Sequence, residues 1–441
     1  MRGTAAGLAV AALVVLAGCS GIVGTQGPAV DATATAPAGG EPDAEPALAF
    51  REASAEHGFT YFTTRTPRES LVANEGVYVT DYNGDGWPDI LAVGGGPRLY
   101  ENTGGAFEAA DALPEVEGYV KVAHFLDYDA DGDDDLLLFR KRAAPVALRN
   151  TGGGFERAEV GLAGAGFVVP NAVTSADYDG DGCLDLFVGQ NGDWGTGAPG
   201  TDATARAVYN GTERPVITDG HQNLLFDGDC GSFSNVTREA GIATGVWGSQ
   251  WTLTASFVDL TGDGHPDIHV GNDFGRDLLY VNEGDGTFRV VDAGPATDRN
   301  AMASEVADVN GDGRLDVYVT NIHITPNMTV PEDAPISKVD IAWNPNGNNL
   351  LLNRGNGSFV DRAAEYGVRA AGFGWSAALA DLDNDGHRDL LHATSTDVPI
   401  TGYEERGYLQ PQLWAGTPEG FDRRDATAVG FNRTNGRGLA T

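Results

Sequence analysis

One nine-residue pattern constrains this chain more than any other feature. Asp-x-(Asp, Asn or Thr)-x-Asp-Gly-x-x-Asp, running directly into an apolar stretch, occurs six times. Its first, third, fifth and ninth positions are Asp81, Asn83, Asp85 and Asp89 in the first copy and Asp127, Asp129, Asp131 and Asp135 in the second. They are Asp177, Asp179, Asp181 and Asp185 in the third, and Asp259, Thr261, Asp263 and Asp267 in the fourth. The fifth has Asp308, Asn310, Asp312 and Asp316, the sixth Asp381, Asp383, Asp385 and Asp389. Where no insertion intervenes the copies follow at about 50 residues, a period typical of arrays in which each repeat is one supersecondary unit.

Each copy sits at one place in a larger unit. A short apolar stretch such as Val77-Tyr-Val-Thr80 precedes the loop, and a β-type run such as Leu136-Leu-Leu-Phe139 follows it. A third apolar stretch then leads to a Gly-rich turn closed by Phe107, Phe155, Phe233, Phe288, Phe359 or Phe421. Four short strands bounded by turn residues predict the blade of a β-propeller. A sandwich has comparable strands but does not repeat a loop at one internal offset. The 62 glycines among 441 residues agree with a turn-rich, all-β chain. At the ends, Phe50-Arg-Glu-Ala-Ser54 reads as a fourth strand without its first three, and Arg437-Gly-Leu-Ala-Thr441 as a first strand that stops before its loop. The expectation is therefore a seven-bladed β-propeller whose last blade is incomplete in this chain, with six or eight blades as the alternatives.

The charge narrows the partners. With 63 acidic and 28 basic residues the formal charge is −35, which repels a phosphate backbone and argues against nucleic acid. At the N-terminus an apolar run from Leu8 to Ala17 is shorter than the ~20 residues that a membrane-spanning helix needs. The run ends Leu16-Ala17-Gly18-Cys19, which resembles the bacterial lipobox. Residues 1–18 then read as a lipoprotein signal peptide and Cys19 as the lipidated residue, with an ordinary cleaved signal peptide as the alternative. Residues 19–47, rich in Ala, Gly, Thr and Pro, read as a tether, and 48–441 as the propeller. The expected location is that of an exported bacterial lipoprotein in the cell envelope or at the cell surface, touching the membrane through its anchor only.

Alternating carboxylates on a tight loop supply the oxygen ligands that a hard cation takes, and Ca²⁺ fits them better than Mg²⁺, which demands a rigid octahedron. An EF-hand places Glu at position 12, where this chain has Ala92, Leu138, Val188, Val270, Val319 and His392, so the loops are not EF-hands. About six Ca²⁺ sites are expected, with the loops that begin at Asp127, Asp177 and Asp381 the tightest, because each carries four aspartates.

These units resemble FG-GAP/VCBS repeats, the calcium-loop blades also found in integrin α-chain propellers. The run Met302-Ala-Ser-Glu-Val-Ala-Asp308, with Asn349-Leu-Leu-Leu-Asn353 and Gly374-Trp-Ser-Ala-Ala378, is most similar to the cartilage-acidic-protein-like, ASPIC/UnbV-associated group. The resemblance spans about Phe50 to Thr441 and implies extracellular recognition or adhesion. It carries no C-terminal ASPIC/UnbV module within this sequence.

In a four-stranded blade the 1–2 and 3–4 connections lie on one face, the 2–3 connections on the other. The long connections Gln190–Gln222, Asn321–Asn348 and Ala393–Gln410 are of the second kind, and long loops on a rigid scaffold are where binding concentrates. They carry Trp194, Tyr209, His221, His323, Trp343 and Tyr403, which suit a glycan or protein ligand or serve to pack the insertions onto the propeller. Two other readings stand beside recognition: a polysaccharide lyase or hydrolase using His221, His323 and Tyr403, and a structural subunit of an envelope complex. Of the three cysteines, Cys183 lies in a 1–2 loop and Cys230 in the 3–4 turn of the same unit. Sharing a face, they are expected to form a disulfide, which for a loop of that length stabilises by about 3–4 kcal/mol.

Overall fold

The computed structural model describes residues 76–192, 220–242, 251–291, 301–323, 347–394 and 411–429, apart from isolated positions within them. It also describes 15–16, 56–58, 204–209, 212–217 and 439–440. These residues form a six-bladed propeller of four-stranded antiparallel sheets, each ordered first to fourth strand along the chain. Blade 1 comprises Val77–Thr80, Asp89–Ala92, Arg98–Asn102 and Phe107–Ala110. Blade 2 comprises Val120–Leu126, Asp135–Arg140, Val146–Asn150 and Phe155–Ala158. Blade 3 comprises Pro170–Ala176, Asp185–Gln190, Leu224–Gly228 and Phe233–Asn235, with the hairpin Thr204–Tyr209/Thr212–Ile217 in its 2–3 connection. Blade 4 comprises Thr252–Val258, Asp267–Asn272, Leu278–Asn282 and Phe288–Val291. Blade 5 comprises Ala301–Ala307, Asp316–Asn321, Asn349–Asn353 and Phe359–Asp361, and blade 6 Gly374–Ala380, Asp389–Thr394, Gln412–Thr417 and Gly420–Arg424.

The seven-bladed expectation is corrected to six. It rested on extending the register past both ends of the repeats, into segments that have neither an aspartate loop nor a Gly-Phe closure. Among the described residues no four-stranded sheet is formed beyond these six. Leu439–Ala440 pairs with Val15–Leu16 as a two-stranded ladder and lies beside the first strands of blades 1 and 6. Residues 50–54 fall outside the described residues.

Burial explains the strand compositions. Second strands are buried along their length, Arg140 at the end of blade 2's being half-buried, because neighbouring blades cover both faces, and they accordingly read as continuous apolar runs. In blades 1 to 4 the fourth strands bury their leading Phe and expose the two residues after it, since they form the rim. The cores lie between successive blades. Tyr82, Leu91 and Leu99 of blade 1 pack with Phe125, Leu136 and Phe155 of blade 2, and four further cores join blades 2 to 6 in the same way. In blades 2 to 6 the first strand carries one extra residue at the same place: Lys121, Asn171, Leu253, Met302 and Trp375. Such a bulge re-aims a side chain. Here Lys121 Nζ donates to Asn171 Oδ1 of the next blade at 2.7 Å, and Asn171 Nδ2 donates to the Leu253 carbonyl at 3.2 Å.

Two turns of left-handed backbone shape every loop. Position 6 is Gly at φ between 82° and 97° throughout, and position 4 also has positive φ. Four blades place Gly at position 4, but blade 2 places Ala130 (φ 59°) and blade 6 Asn384 (φ 62°). A Cβ in this conformation costs roughly 1–2 kcal/mol, and Asn tolerates it better than Ala. Ala130→Gly is therefore expected to raise stability by about 1 kcal/mol in chemical denaturation, whereas Gly84→Ala should lower it by a similar amount.

Candidate cation-binding loops

Within each loop the acidic side chains first fold the loop itself. Asp81 Oδ1 accepts the Asp85 N–H at 3.0 Å and Oδ2 the Gly86 N–H at 2.8 Å. Asn83 Oδ1 accepts from Asp85 N (3.0 Å), and Asp85 Oδ1 from Trp87 N (2.8 Å). The bonds from positions 5 and 6 to the first aspartate recur at Asp127, Asp308 and Asp381. Each carboxylate oxygen keeps a second lone pair, so these bonds orient the acids without exhausting them.

The ninth aspartate behaves differently from the other three. Asp89, Asp135, Asp185, Asp267, Asp316 and Asp389 are buried where the second strand begins, each paired across the sheet with the last residue of the first strand. Asp135 Oδ2 accepts the N–H of Tyr128 (3.3 Å) at loop position 2, and Oδ1 that of Asn150 (2.7 Å) at the end of the third strand. The same pair of bonds is made by Asp89, Asp185, Asp267, Asp316 and Asp389. This carboxylate therefore staples loop, second strand and third strand together.

Three loops bring acidic oxygens within 4.8 Å of one another: Asp127, Asp129 and Asp135 in blade 2; Asp177, Asp179 and Asp185 in blade 3; and Asp381, Asp383 and Asp385 in blade 6. These are the loops with four aspartates. Blade 3 has a second, overlapping group of Asp179, Asp181 and Asp227. The donor set fits a hard divalent cation. Asp129 Oδ1 is buried without a hydrogen-bond partner, as a ligand oxygen waiting for a cation would be. In blade 5, by contrast, Arg314 donates from Nη2 to Asp312 Oδ2 at 2.5 Å and from Nε to the Asn353 carbonyl at 2.9 Å, so a guanidinium already answers the position-5 carboxylate.

The sequence reading missed two sets of residues. Asn102, Asn150, Asn282 and Asn353 end the third strands, where Asn stands two residues before a left-handed Gly. Asn150 Nδ2 donates to the Asp134 carbonyl of its own loop (3.0 Å) and to the Tyr82 carbonyl of the preceding blade's loop (2.7 Å). Asn282 does the same with Pro266 and Tyr178, and Asn353 with Leu315 and Leu260. The recurrence of Asn before four of the six 3–4 turns was the available signal. Asp227 is the other omission. It occupies the third-strand position held by Glu101, Arg149, Val281, Leu352 and Ala415 elsewhere; an acid recurs there only in blade 1, too rarely to mark the position as part of the repeat.

The expected disulfide is present: Cys183 Sγ and Cys230 Sγ are 2.04 Å apart. On the opposite face, Trp194, Trp343 and Tyr403 lie outside the described residues, as does the side chain of Tyr209; Cys19 also lies outside them. His221 donates its N–H to the Asn191 carbonyl at 3.3 Å. His323 is 7% exposed and its N–H donates to the Gly372 carbonyl, so it packs the base of an insertion rather than standing on an open surface.

Burial pushes Asp135 and Asp185 up to about 7 and Asp89 and Asp316 up to about 6, from an ordinary 3.8, with backbone N–H donors offsetting only part of the effect. In metal-free protein the folded state then holds protons that the unfolded chain has lost. The resulting stability is complete below about pH 4 and disappears as pH rises through about 6 to 7. Urea midpoints of metal-free protein are expected to fall between about pH 5 and 8, and saturating Ca²⁺ to flatten or reverse that slope, because cation binding requires the ionised acids.

FG-GAP-like repeats match residues 81–138, 127–188, 259–319 and 338–392, together just over half of the chain. Cartilage acidic protein 1 of Mus musculus is 28% identical over 163 residues, covering 36% of this chain and 23% of that protein. The Homo sapiens protein of the same name is 28% identical over 159 residues, with the same coverage. The match thus spans less than a quarter of the length of these curated relatives. A solved lectin from Agrocybe aegerita, which recognises non-reducing terminal N-acetylglucosamine, aligns with a TM-score of 0.48 at 18% identity over 79% of this chain and 78% of its own. With six blades built on the same aspartate loop and repeats matched over half its length, the chain belongs to the FG-GAP-like repeat family and is distantly related to cartilage acidic protein 1.

Proposed function

We propose that this protein is an exported, calcium-stabilised propeller that presents its 2–3 connections as a recognition surface for a glycan or protein ligand. The observation that carries the reading is the convergence of Asp127, Asp129 and Asp135, of Asp177, Asp179 and Asp185, and of Asp381, Asp383 and Asp385, each on a loop folded by its own acids. Bound Ca²⁺ would supply charge neutralisation there, not chemistry on a substrate. The chain's part is to keep the acids on one turn, bury the ninth aspartate and transmit the order of the loop into the blade. Blades 1, 4 and 5 carry Asn83, Thr261 and Asn310 at position 3 and so hold a cation less tightly, blade 5 least because of Arg314. The longest connections leave the blades on the side away from these loops, so the metal stiffens the scaffold without crowding the binding face.

A cation that binds only the native state stabilises it by mass action, about 2.7 kcal/mol for each site at a hundredfold excess over Kd. Chelation is expected to lower Tm by many degrees, and Asp127→Asn or Asp381→Asn to remove part of that difference, whereas Asp308→Asn should change it least. Equal melting of calcium-loaded and verified metal-free protein would contradict the reading.

The lipid anchor is a separate part of the proposal and rests on the run Leu16-Ala17-Gly18-Cys19. Cys19→Ser is expected to leave unprocessed precursor without a lipid label in labelled bacterial cells. Undiminished labelling of that variant would refute the anchor but leave the calcium scaffold untouched.

A further inference from the structure

Loop position 7 meets the 3–4 turn of its own blade, with a different chemistry from blade to blade. In blade 1 the Trp87 ring lies over Gly104, and in blade 4 the His265 ring lies against Gly284 closely enough to leave little room for a side chain there. In blade 5 Arg314 bonds the Asn353 carbonyl. In blade 3 the contact is covalent, Cys183 to Cys230.

Blade 3 departs from its neighbours at two more positions of the same turn. Where blades 1, 2, 4 and 5 end the third strand with Asn, blade 3 has Gly228, and a Cβ there would run into the Leu184 carbonyl. The strand end therefore lies directly against the loop, and Gly228 N donates to Asp185 Oδ1 at 2.9 Å. Two residues on, Gly104, Gly152, Gly284 and Gly355 take positive φ in blades 1, 2, 4 and 5; here Cys230 takes it, at φ 55°. A residue with a Cβ thus takes a glycine conformation at the cysteine that is bonded to Cys183. Blade 3 thus has a disulfide beside a strand end that lacks the Asn of blades 1, 2, 4 and 5, and the same strand places Asp227 with Asp179 and Asp181.

We propose that the Cys183–Cys230 disulfide is a redox latch on the cation site of blade 3, holding Asp227 in place as an added ligand. The inference rests on the calcium reading of the loops. When the bond is intact, Asp177, Asp179, Asp181, Asp185 and Asp227 face one cation region. A dithiol reductant opens the latch: its thiolate attacks one sulfur, the Cys–Cys bond breaks, and its second thiolate displaces the first mixed disulfide. The two electrons pass from the dithiol, which closes to its own disulfide, to Cys183 and Cys230, which leave as thiols. Both cysteines are partly exposed, so a small reductant reaches them. Released, Cys230 relaxes out of the left-handed region, the turn parts from the loop, and Asp227 moves away from Asp179 and Asp181.

Because coupling is reciprocal, the cation must also protect the bond. The experiment measures Ca²⁺ binding calorimetrically in the native protein, in Cys183→Ser/Cys230→Ser and in Asp227→Asn, and follows dithiothreitol reduction by alkylation and mass spectrometry with Ca²⁺ or chelator. Loss of a supporting shell lowers metal affinity by roughly tenfold to a hundredfold, so both variants are expected to weaken one site by that factor and leave the others unchanged. At equilibrium with a fixed ratio of reduced to oxidised dithiothreitol, the fraction of protein reduced should be at least several-fold lower with Ca²⁺. Asp227→Asn keeps the disulfide, so it remains informative should the double serine variant fold poorly. Calcium binding that is identical in all three proteins, with an equilibrium extent of reduction indifferent to Ca²⁺, overturns the latch while sparing the calcium loops. No calcium binding in the native protein overturns both.

Discussion

The buried ninth aspartate is the interaction on which the blades depend. A carboxylate removed from water is costly unless its oxygens are met by donors. In this propeller one oxygen takes the N–H of loop position 2 and the other the N–H at the end of the third strand, as for Asp135 with Tyr128 and Asn150. One side chain thereby fixes where the loop ends, where the second strand starts and how far the third strand runs. The arrangement closes only if position 4 and position 6 turn left-handed, which accounts for Gly, Asn and the strained Ala130 at those places.

The same loops also hold the ring together. Position 2 sends its side chain into the next blade: Tyr82 stacks on Phe155 with centroids 5.7 Å apart, Tyr178 packs on Phe288 at 5.2 Å, and Tyr128 on Phe233 at 6.3 Å. Its carbonyl is taken by the next blade's Asn in three cases, from Asn150, Asn282 and Asn353. These loops therefore tie neighbouring blades together as well as closing their own turns. Blade 3 uses Gly228 and a disulfide where those blades use Asn, so the seam between blades 2 and 3 lacks that carbonyl bond.

Much of this was legible because the repeat displays its own physics. Six aspartate loops at one offset disclosed the four-stranded unit, and the apolar run after each loop disclosed its second strand. Topology alone placed Cys183 beside Cys230, since 1–2 and 3–4 connections share a face. Blade number was less legible, because Phe50–Ser54 and Arg437–Thr441 carry strand-like residues without the turns that make a blade. The role of the ninth aspartate was hidden as well: composition distinguishes Asp135 from Asp127 no better than it distinguishes two ligands, and only burial separates an anchor from an exposed acid. Asp227 has no counterpart in most blades, so a repeat-based reading passes over it. His323 has the chemistry of a binding residue, yet its surroundings bury it.

The central claim is that the aspartate loops hold calcium. Diffraction from crystals grown with Ca²⁺, recorded at a wavelength where calcium scatters anomalously, tests it directly. The account predicts anomalous peaks among Asp127, Asp129 and Asp135, among Asp177, Asp179, Asp185 and Asp227, and among Asp381, Asp383 and Asp385, with the weakest or no peak in the blade 5 loop beside Arg314. A map with calcium in the crystallisation medium and no peak at any of these three clusters would contradict it.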